Sequence, residues 1–290
     1  MMTTLEAPAA IADVEAARAA PRPTTGGAGL PLRMLRKLVA SLVSIGVVLA
    51  AWILFLRIFH VSHFIGKGPA DVWNYLVSSK GAAANRTAVA HESLTTLRDA
   101  FIGLAVGTVA AIACAVAFNL WRPVERTLMP LAMVLRSVPL MAMTPLIVLI
   151  FGRDLKTVAV IGGIVAFFAT LVNVNLALRR TPRESLDVCR AYGASRFETM
   201  RRVQIPSAVP ALMASLRIAA PLALVGALLA EWLATGKGLG YRILEVGALS
   251  DYSGLWSRVV LVTLYSVILY KLIGAIEKVV VARFAPTIGA

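Results

Sequence analysis

The chain is short of charge and of cysteine, and each shortage excludes a class of protein. Charged residues make up only 15% of its 290 residues, whereas 59% are apolar and the mean hydropathy is +0.79. A soluble domain usually has about 25% charged residues. The two cysteines, Cys114 and Cys189, give neither a zinc-ligand spacing nor a disulfide framework. The composition therefore excludes a disulfide-stapled secreted domain and favours an integral membrane protein without a metal site.

Catalytic motifs are missing as well. The sequence has no serine-centred nucleophile elbow, no His-Glu-x-x-His and no pair of intramembrane carboxylates. Gly236-Lys237-Gly238 resembles part of a phosphate-binding loop, but the leading glycine is absent and a glycine follows the lysine where Ser or Thr is needed. We therefore expect no catalytic residue, and no ATP, metal or other cofactor bound by this chain itself.

Long apolar runs, in contrast, are present throughout the chain. A helix that spans a bilayer needs about 20 predominantly apolar residues. Six stretches meet this requirement, at residues 38–58, 99–120, 129–151, 157–178, 208–233 and 256–276. The sequence therefore predicts an all-α integral membrane protein with about six transmembrane helices, five being the alternative count.

The excess of basic residues indicates how these helices are oriented. The chain has 29 Lys and Arg against 15 Asp and Glu, a formal net charge of +14. These residues flank the apolar runs instead of forming one stripe, and no nucleic-acid-binding motif is present, so we expect no nucleic-acid partner. Lys and Arg concentrate on the cytoplasmic side of membrane proteins. The larger group covers the N-terminal region, residues 179–202 and the C-terminal end, which predicts cytoplasmic N- and C-termini.

Residues 181–206, hereafter the basic segment, are too polar to cross a bilayer although the runs on both sides are apolar. The quartets that start at Thr181 and at Ser195 both match the capping-box pattern, and Gly193 between them suits the left-handed residue that ends a helix. Pro206 should end the second helix. Two short helices are therefore predicted, with an apolar stripe available for docking: Leu186, Cys189, Tyr192, Phe197, Met200 and Val203.

The basic segment also resembles the "EAA" signature of ABC importer permeases. Asp187 takes the place of the usual Glu, and Gly193 and Pro206 fall at the expected spacing, although Val188 and Cys189 replace two alanines. The resemblance extends over residues 92–277, which are similar to permeases of the nitrate/sulfonate/taurine branch. It is carried there by Arg136, Pro139, Pro145, the Leu216–Ile218 stretch, Ala230, Glu231 and the Gly238–Tyr241 stretch.

The resemblance implies a type I ABC importer permease in a bacterial inner membrane. It implies as partners a second permease subunit in a homodimer, two cytoplasmic ATP-binding subunits that use ATP and Mg, and an extracytoplasmic substrate-binding protein. The solute would be small and anionic, such as a sulfonate, taurine or nitrate. The residues implied to couple the chain to the ATP-binding subunits are Asp187, Arg190, Tyr192, Gly193, Ser195, Arg196, Phe197 and Pro206.

Composition, the apolar runs and the resemblance together predict a division of the chain. Residues 1–33 would be a disordered cytoplasmic tail and residues 34–60 the first transmembrane helix. Residues 61–91 would form an extracytoplasmic loop, and a second outward loop is expected at residues 234–255. Residues 92–277 would be the permease domain, followed by a cytoplasmic tail at residues 278–290.

Charged residues and prolines inside apolar spans are candidates for the translocation pathway, because polar groups are costly in a bilayer and are often functional. Pro139 and Pro145 should kink or break the third span near Arg136, which could attract an anion or form a structural pair. Arg217 could line the pathway or extend to the cytoplasmic interface. Glu231 could be an interfacial carboxylate or a contact of the outer gate.

Two other functions stay open at this point. One is a transporter driven by an ion gradient, although no inverted repeat is evident; the other is a membrane scaffold whose basic segment binds a different partner. The small residues Gly103 and Gly107, followed by Ala111 and Ala115, recur every four positions and indicate close helix packing, either within the chain or between two copies.

Overall fold

The computed structural model describes residues 30–284, and all regular secondary structure in this range is helical. Most of the predicted disordered tail, residues 1–29, and the last six residues lie outside the described residues. The chain divides into two units, one ending at Val61 and the other beginning at Ser62. The described part of the first unit consists of helix α1 (Leu30–Ile58), whose Val39–Ile58 stretch is long and apolar enough to cross a membrane.

The second unit contains the remaining helices in chain order. They are α2 (Pro69–Trp73), α3 (Ala82–Leu120), α4 (Arg122–Ser137), α5 (Leu140–Phe151), α6 (Leu155–Arg179), α7 (Arg183–Ala191), α8 (Arg196–Thr199), α9 (Ile205–Ala230), α10 (Gly238–Ala248) and α11 (Tyr252–Phe284). Single π-helical turns follow α2, α8 and α9, at Asn74–Ser78, Met200–Gln204 and Glu231–Thr235.

Within residues 30–284, five helical stretches could each span a membrane, and a sixth span results if the bent pair α4–α5 is counted as one. This agrees with the predicted five to six spans. The third predicted span, residues 129–151, is not straight, because α4 and α5 meet at an angle of 104°. The break lies at Val138 and Pro139, where the sequence predicted it. Pro145 lies inside α5 and does not end it.

Helix α3 is longer than predicted. It begins at Ala82, inside the stretch expected to be an outward loop, and continues without interruption to Leu120. The predicted second outward loop is also partly helical, since α10 occupies residues 238–248. The sequence missed both helical stretches because only apolar runs were counted, whereas these stretches pack through a mixture of polar and small residues.

The core is formed where α3, α6 and α9 pack on one another through small residues. A Cβ built on Gly107 would lie 2.3 Å from the carbonyl oxygen of Gly163, and one built on Gly226 would lie 2.9 Å from the Cα of Gly162. Such close approach is possible only where side chains are absent. The small-residue row in α3 therefore packs inside the chain, and Ala111 and Ala115 in the same row are completely buried.

Candidate functional site

The basic segment joins two of the core helices, since it follows the end of α6 and leads into α9. Helix α7 ends in a Schellman motif, in which the N–H of Gly193 donates to Arg190 O at 2.9 Å and the N–H of Ala194 donates to Cys189 O at 2.9 Å. Gly193 has a φ of +72°, and no atom lies within 4 Å of the position of a Cβ added there. The predicted left-handed glycine is therefore confirmed.

One of the two predicted capping boxes is wrong. Ser195 does cap α8, because its Oγ accepts from the N–H of Glu198 at 3.2 Å. Thr181 does not cap α7, which has Pro182 at its N-cap without a side-chain bond. The hydroxyl of Thr181 is buried and instead donates to Leu178 O at 3.1 Å, with Ser207 Oγ at 3.3 Å. Thr181 thus ties the end of α6 to the start of α9.

Pro206 does not end the second helix of the basic segment. Helix α8 passes through the π turn at Met200–Gln204 directly into α9, with Pro206 near the start of α9. The helix continues past the proline through this π turn, in which the N–H of Ile205 donates to Met200 O, so the missing N–H of Pro206 does not end it. The second half of the basic segment is therefore a rigid extension of a core helix.

The apolar residues of the basic segment divide into two groups. Tyr192, Phe197 and Val188 are exposed to 87%, 63% and 56%. Met200, which the sequence placed on the docking stripe, is only 1% exposed and belongs to the same core cluster as Leu178. The prediction for Met200 is wrong because periodicity cannot tell which apolar face points inward. The outward apolar surface is thus centred on Tyr192 and Phe197.

The charged residues of the basic segment are mostly exposed. Asp187 and Arg190 form an ion pair with an N–O distance of 2.9 Å, and Glu198 pairs with Arg202 at 2.9 Å. Arg196 is exposed and forms no ion pair with any residue between 30 and 284. Exposed pairs contribute at most about 1 kcal/mol to stability, so the two pairs hold this surface only weakly. The unpaired charge of Arg196 is available for a partner.

A buried acid that the sequence did not single out anchors α4 beside the basic segment. Glu125 accepts a hydrogen bond from Asn175 Nδ2 at 2.8 Å and pairs with Arg179 at 2.9 Å. Gln204 also donates to Leu178 O at 3.3 Å. The chain has only 15 Asp and Glu residues, so an acidic residue next to an apolar run was the signal that could have pointed to Glu125.

Arg136 lies at an open cleft of about 490 Å³ at the break between α4 and α5. The cleft is lined by Leu135–Leu140 and Met143 on one side, and by Ile164, Val165, Phe168 and Ala169 of α6 with Leu222 of α9 on the other. Arg136 forms no ion pair with another residue of the described range. Pro139 lines the same cleft, whereas Pro145 and Arg217 do not.

Arg217 has partners elsewhere, between α9 and α11. Its Nη1 lies 3.3 Å from Glu277 Oε2, and its guanidinium carbon lies 4.3 Å from the centre of the Tyr270 ring. A Cβ on Gly274 would lie 3.0 Å from Arg217 Nε, so the glycine leaves room for the guanidinium. Through these contacts, Arg217 of α9 binds to Glu277 and Tyr270 of α11 and joins the two helices.

Glu231 is completely buried at the opposite end of the core from the basic segment. Its Oε2 accepts from Thr96 Oγ1 at 3.0 Å and from the N–H of Gly240 at 2.8 Å, and Thr96 Oγ1 accepts from the N–H of Leu239 at 2.9 Å. A Cβ on Gly238, whose φ is +81°, would lie 2.2 Å from Glu231 Oε1. Glu231 is thus not at the surface, and it holds the glycine-rich start of α10 against α3.

A second buried pair, which the sequence did not reveal, lies one helical turn away on α3. Arg258 Nε donates to Glu92 Oε2 at 2.8 Å and Arg258 Nη2 donates to Glu92 Oε1 at 2.9 Å. Arg242 lies 3.8 Å from the same carboxylate. The bidentate pair joins α3 to α11, and Arg242 brings α10 to the same carboxylate.

Comparison with known proteins gives this geometry a family context. Residues 103–286 match the family model described as "Binding-protein-dependent transport system inner membrane component". The formylaminopyrimidine transport permease protein of Halalkalibacterium halodurans is 29% identical over 71% of this chain and 84% of its own length. The nitrate import permease protein of Leptolyngbya laminosa is 25% identical over 74% of this chain and 84% of its own. The names of two further relatives, from Bacillus subtilis and Escherichia coli, refer to aliphatic sulfonates transport.

A solved structure supports the same architecture. The chain superposes on a structure titled as an inward-facing conformation of the MetNI methionine ABC transporter with a TM-score of 0.59, covering 67% of this chain and 97% of that one. Sequence identity is 20%, so this similarity shows the fold alone. Family membership implies an ATP-binding subunit and a substrate-binding protein as partners. The chain belongs to the family of binding-protein-dependent inner membrane components: it is a multi-pass permease of an ABC transporter.

Proposed function

We propose that this chain is the membrane subunit of an ATP-driven importer for a small anionic solute such as nitrate, a sulfonate or taurine. Two copies would form the translocation pathway, two separate ATP-binding subunits would hydrolyse ATP, and a binding protein would deliver the solute. The chain itself would carry no catalytic residue. Among the relatives, the nitrate permease and those named for sulfonates favour an anion.

The observation that carries this proposal is the rigid link between the basic segment and the Arg136 cleft. Helix α6 contributes one wall of the cleft and ends at Arg179, just before the basic segment, and α9 contributes Leu222 and continues from the basic segment. A force applied at Tyr192 and Phe197 would therefore reach the cleft through two packed helices. A switch between two states requires contacts that differ between them, and an ATP-binding subunit docked on this surface would supply such contacts.

The basic segment would lie in the cytoplasm, and with it the N- and C-termini. Arg179, Arg183, Arg190, Arg196 and Arg202 cluster at this end of the core helices, as expected of the cytoplasmic side. The residues Asp187 and Ser195 would keep the docking surface in shape through their pairing and capping bonds.

The test is to remove the exposed aromatic surface. The variant Tyr192→Ala with Phe197→Ala should lose a candidate ATP-binding subunit in co-purification from membranes, because buried aromatic anchors are each typically worth about 2 kcal/mol or more in an interface. Leu249→Ala, at a residue 74% exposed beyond the end of α10, is the matched control and should keep the subunit. Equal recovery of the subunit with both variants would overturn the proposed coupling role.

A further inference from the structure

A second cavity, of about 500 Å³, lies between the turn that joins α3 to α4 and the basic segment. Three arginines line it, Arg122 of α4 and Arg190 and Arg196 of the basic segment; we call it the arginine pocket. Asn119 and Thr199 add an amide and a hydroxyl to the lining. All of these side chains can donate hydrogen bonds, which is the chemistry of an anion site.

The charge of the arginine pocket is only partly neutralised within the chain. Arg190 pairs with Asp187 at 2.9 Å. Arg122 and Arg196 form no ion pair with any residue that the structure describes. Glu125, three residues after Arg122, is occupied by Asn175 and Arg179 and does not line the pocket. Two guanidinium groups are therefore free to bind an anion from outside the chain.

An apolar stripe begins at this pocket and runs along α4. Trp121, Val124, Leu128 and Leu131 are exposed to 60%, 39%, 42% and 53%, and Trp121 also lines the pocket. The spacing of Val124, Leu128 and Leu131 places them on one face of α4, and Trp121 lies directly before this helix. The pocket itself lies where the apolar helix α3 ends, at Leu120. A ligand that fits both features has an anionic head and an apolar tail, and it lies at a membrane surface.

We propose that the arginine pocket binds the phosphate of an anionic phospholipid, with an acyl chain along the Trp121–Leu131 stripe. Basic pockets between membrane helices on the cytoplasmic side suit anionic headgroups. The stripe favours a lipid over free phosphate, which has no apolar part. Because Arg190 and Arg196 also belong to the basic segment, a bound lipid would contact both α4 and the surface proposed to receive the ATP-binding subunit. The lipid content of the membrane would thus influence how firmly this surface is held.

The experiment compares two arginines that lie one turn apart on α4. The full chain, purified in a nonionic detergent, is titrated with phosphatidylglycerol, and bound lipid is counted by native mass spectrometry. Arg122→Gln should weaken binding of one lipid about fivefold, the contribution of one basic residue at an anionic surface. Arg126→Gln removes the same charge from an exposed residue that does not line the pocket, and it should bind as the wild type does. Phosphatidylcholine should not fill this site.

Several results would overturn the proposal. Equal phosphatidylglycerol affinity in the Arg122→Gln and Arg126→Gln variants would show that the pocket is not the site. Displacement of the lipid by millimolar inorganic phosphate would show a site for a free anion. Loss of a co-purified ATP-binding subunit from Arg122→Gln, with lipid binding unchanged, would assign the pocket to a protein contact. Arg122 lies outside the basic segment, so a failure here leaves the proposed coupling role standing.

Discussion

At the residue scale, Gly193 is a position where the backbone conformation itself favours glycine. Its φ of +72° lies in the left-handed region, and the hydrogen bonds of Gly193 and Ala194 fix that geometry at the end of α7. No atom within 4 Å opposes an added Cβ. The obstacle to a side chain is therefore backbone strain, of about 1–2 kcal/mol for an ordinary residue and more for a β-branched one.

We expect Gly193→Val to uncouple transport from ATP hydrolysis, since the strained end of α7 would displace the neighbouring Tyr192. Uptake of solute per ATP hydrolysed should fall in proteoliposomes that contain the assembled importer. Asn tolerates the left-handed conformation, so Gly193→Asn is the matched control and should retain most of the coupling. A Val variant with an unchanged ratio of uptake to hydrolysis would mean that the turn at Gly193 is not part of the coupling path.

At the scale of helices, the buried pair of Glu92 and Arg258 joins α3 to α11. The two side chains are 10% and 5% exposed, and they share two hydrogen bonds. By contrast, the Arg217–Glu277 pair between α9 and α11 has side chains 37% and 21% exposed and a single bond of 3.3 Å. An unpaired charge costs most where water cannot reach it.

Arg258→Met should therefore destabilise the chain by about 3–5 kcal/mol, because it leaves the buried Glu92 carboxylate with Arg242 alone at 3.8 Å. Glu277→Gln, which breaks the more exposed pair, should cost about 1 kcal/mol or less. Thermal unfolding in detergent measures both. Adding Glu92→Gln to Arg258→Met should recover part of the lost stability; if it lowers stability further, the cost came from lost packing and not from the stranded charge.

At the scale of the whole molecule, the sequence predicted the all-helical membrane fold, the span count, the break at Pro139 and the left-handed turn at Gly193. These features depend on local composition and backbone geometry, which apolar runs, prolines and glycines report directly. The inward position of Met200, the Thr181 bond to Leu178 and the Glu92–Arg258 pair could not be predicted. They depend on which faces of distant helices pack together, and local sequence patterns do not show this.

The position of Arg136 leads us to expect that its charge affects anion uptake by the assembled importer. Arg136 lines the cleft where α4 and α5 break and has no ion pair in the described part of the chain, so an anion that enters the cleft could gain a charged hydrogen bond from it. Such bonds are worth about 1.5–3 kcal/mol, so Arg136→Gln should reduce uptake of nitrate or taurine by about tenfold or more. Arg136→Lys keeps the charge and should retain more of the uptake. Uptake of the labelled anion into proteoliposomes, at a fixed amount of bound ATP-binding subunit, measures both variants.

Equal uptake by the Gln and Lys variants would assign Arg136 to the support of the broken helix and would remove the charge-based argument for an anionic solute.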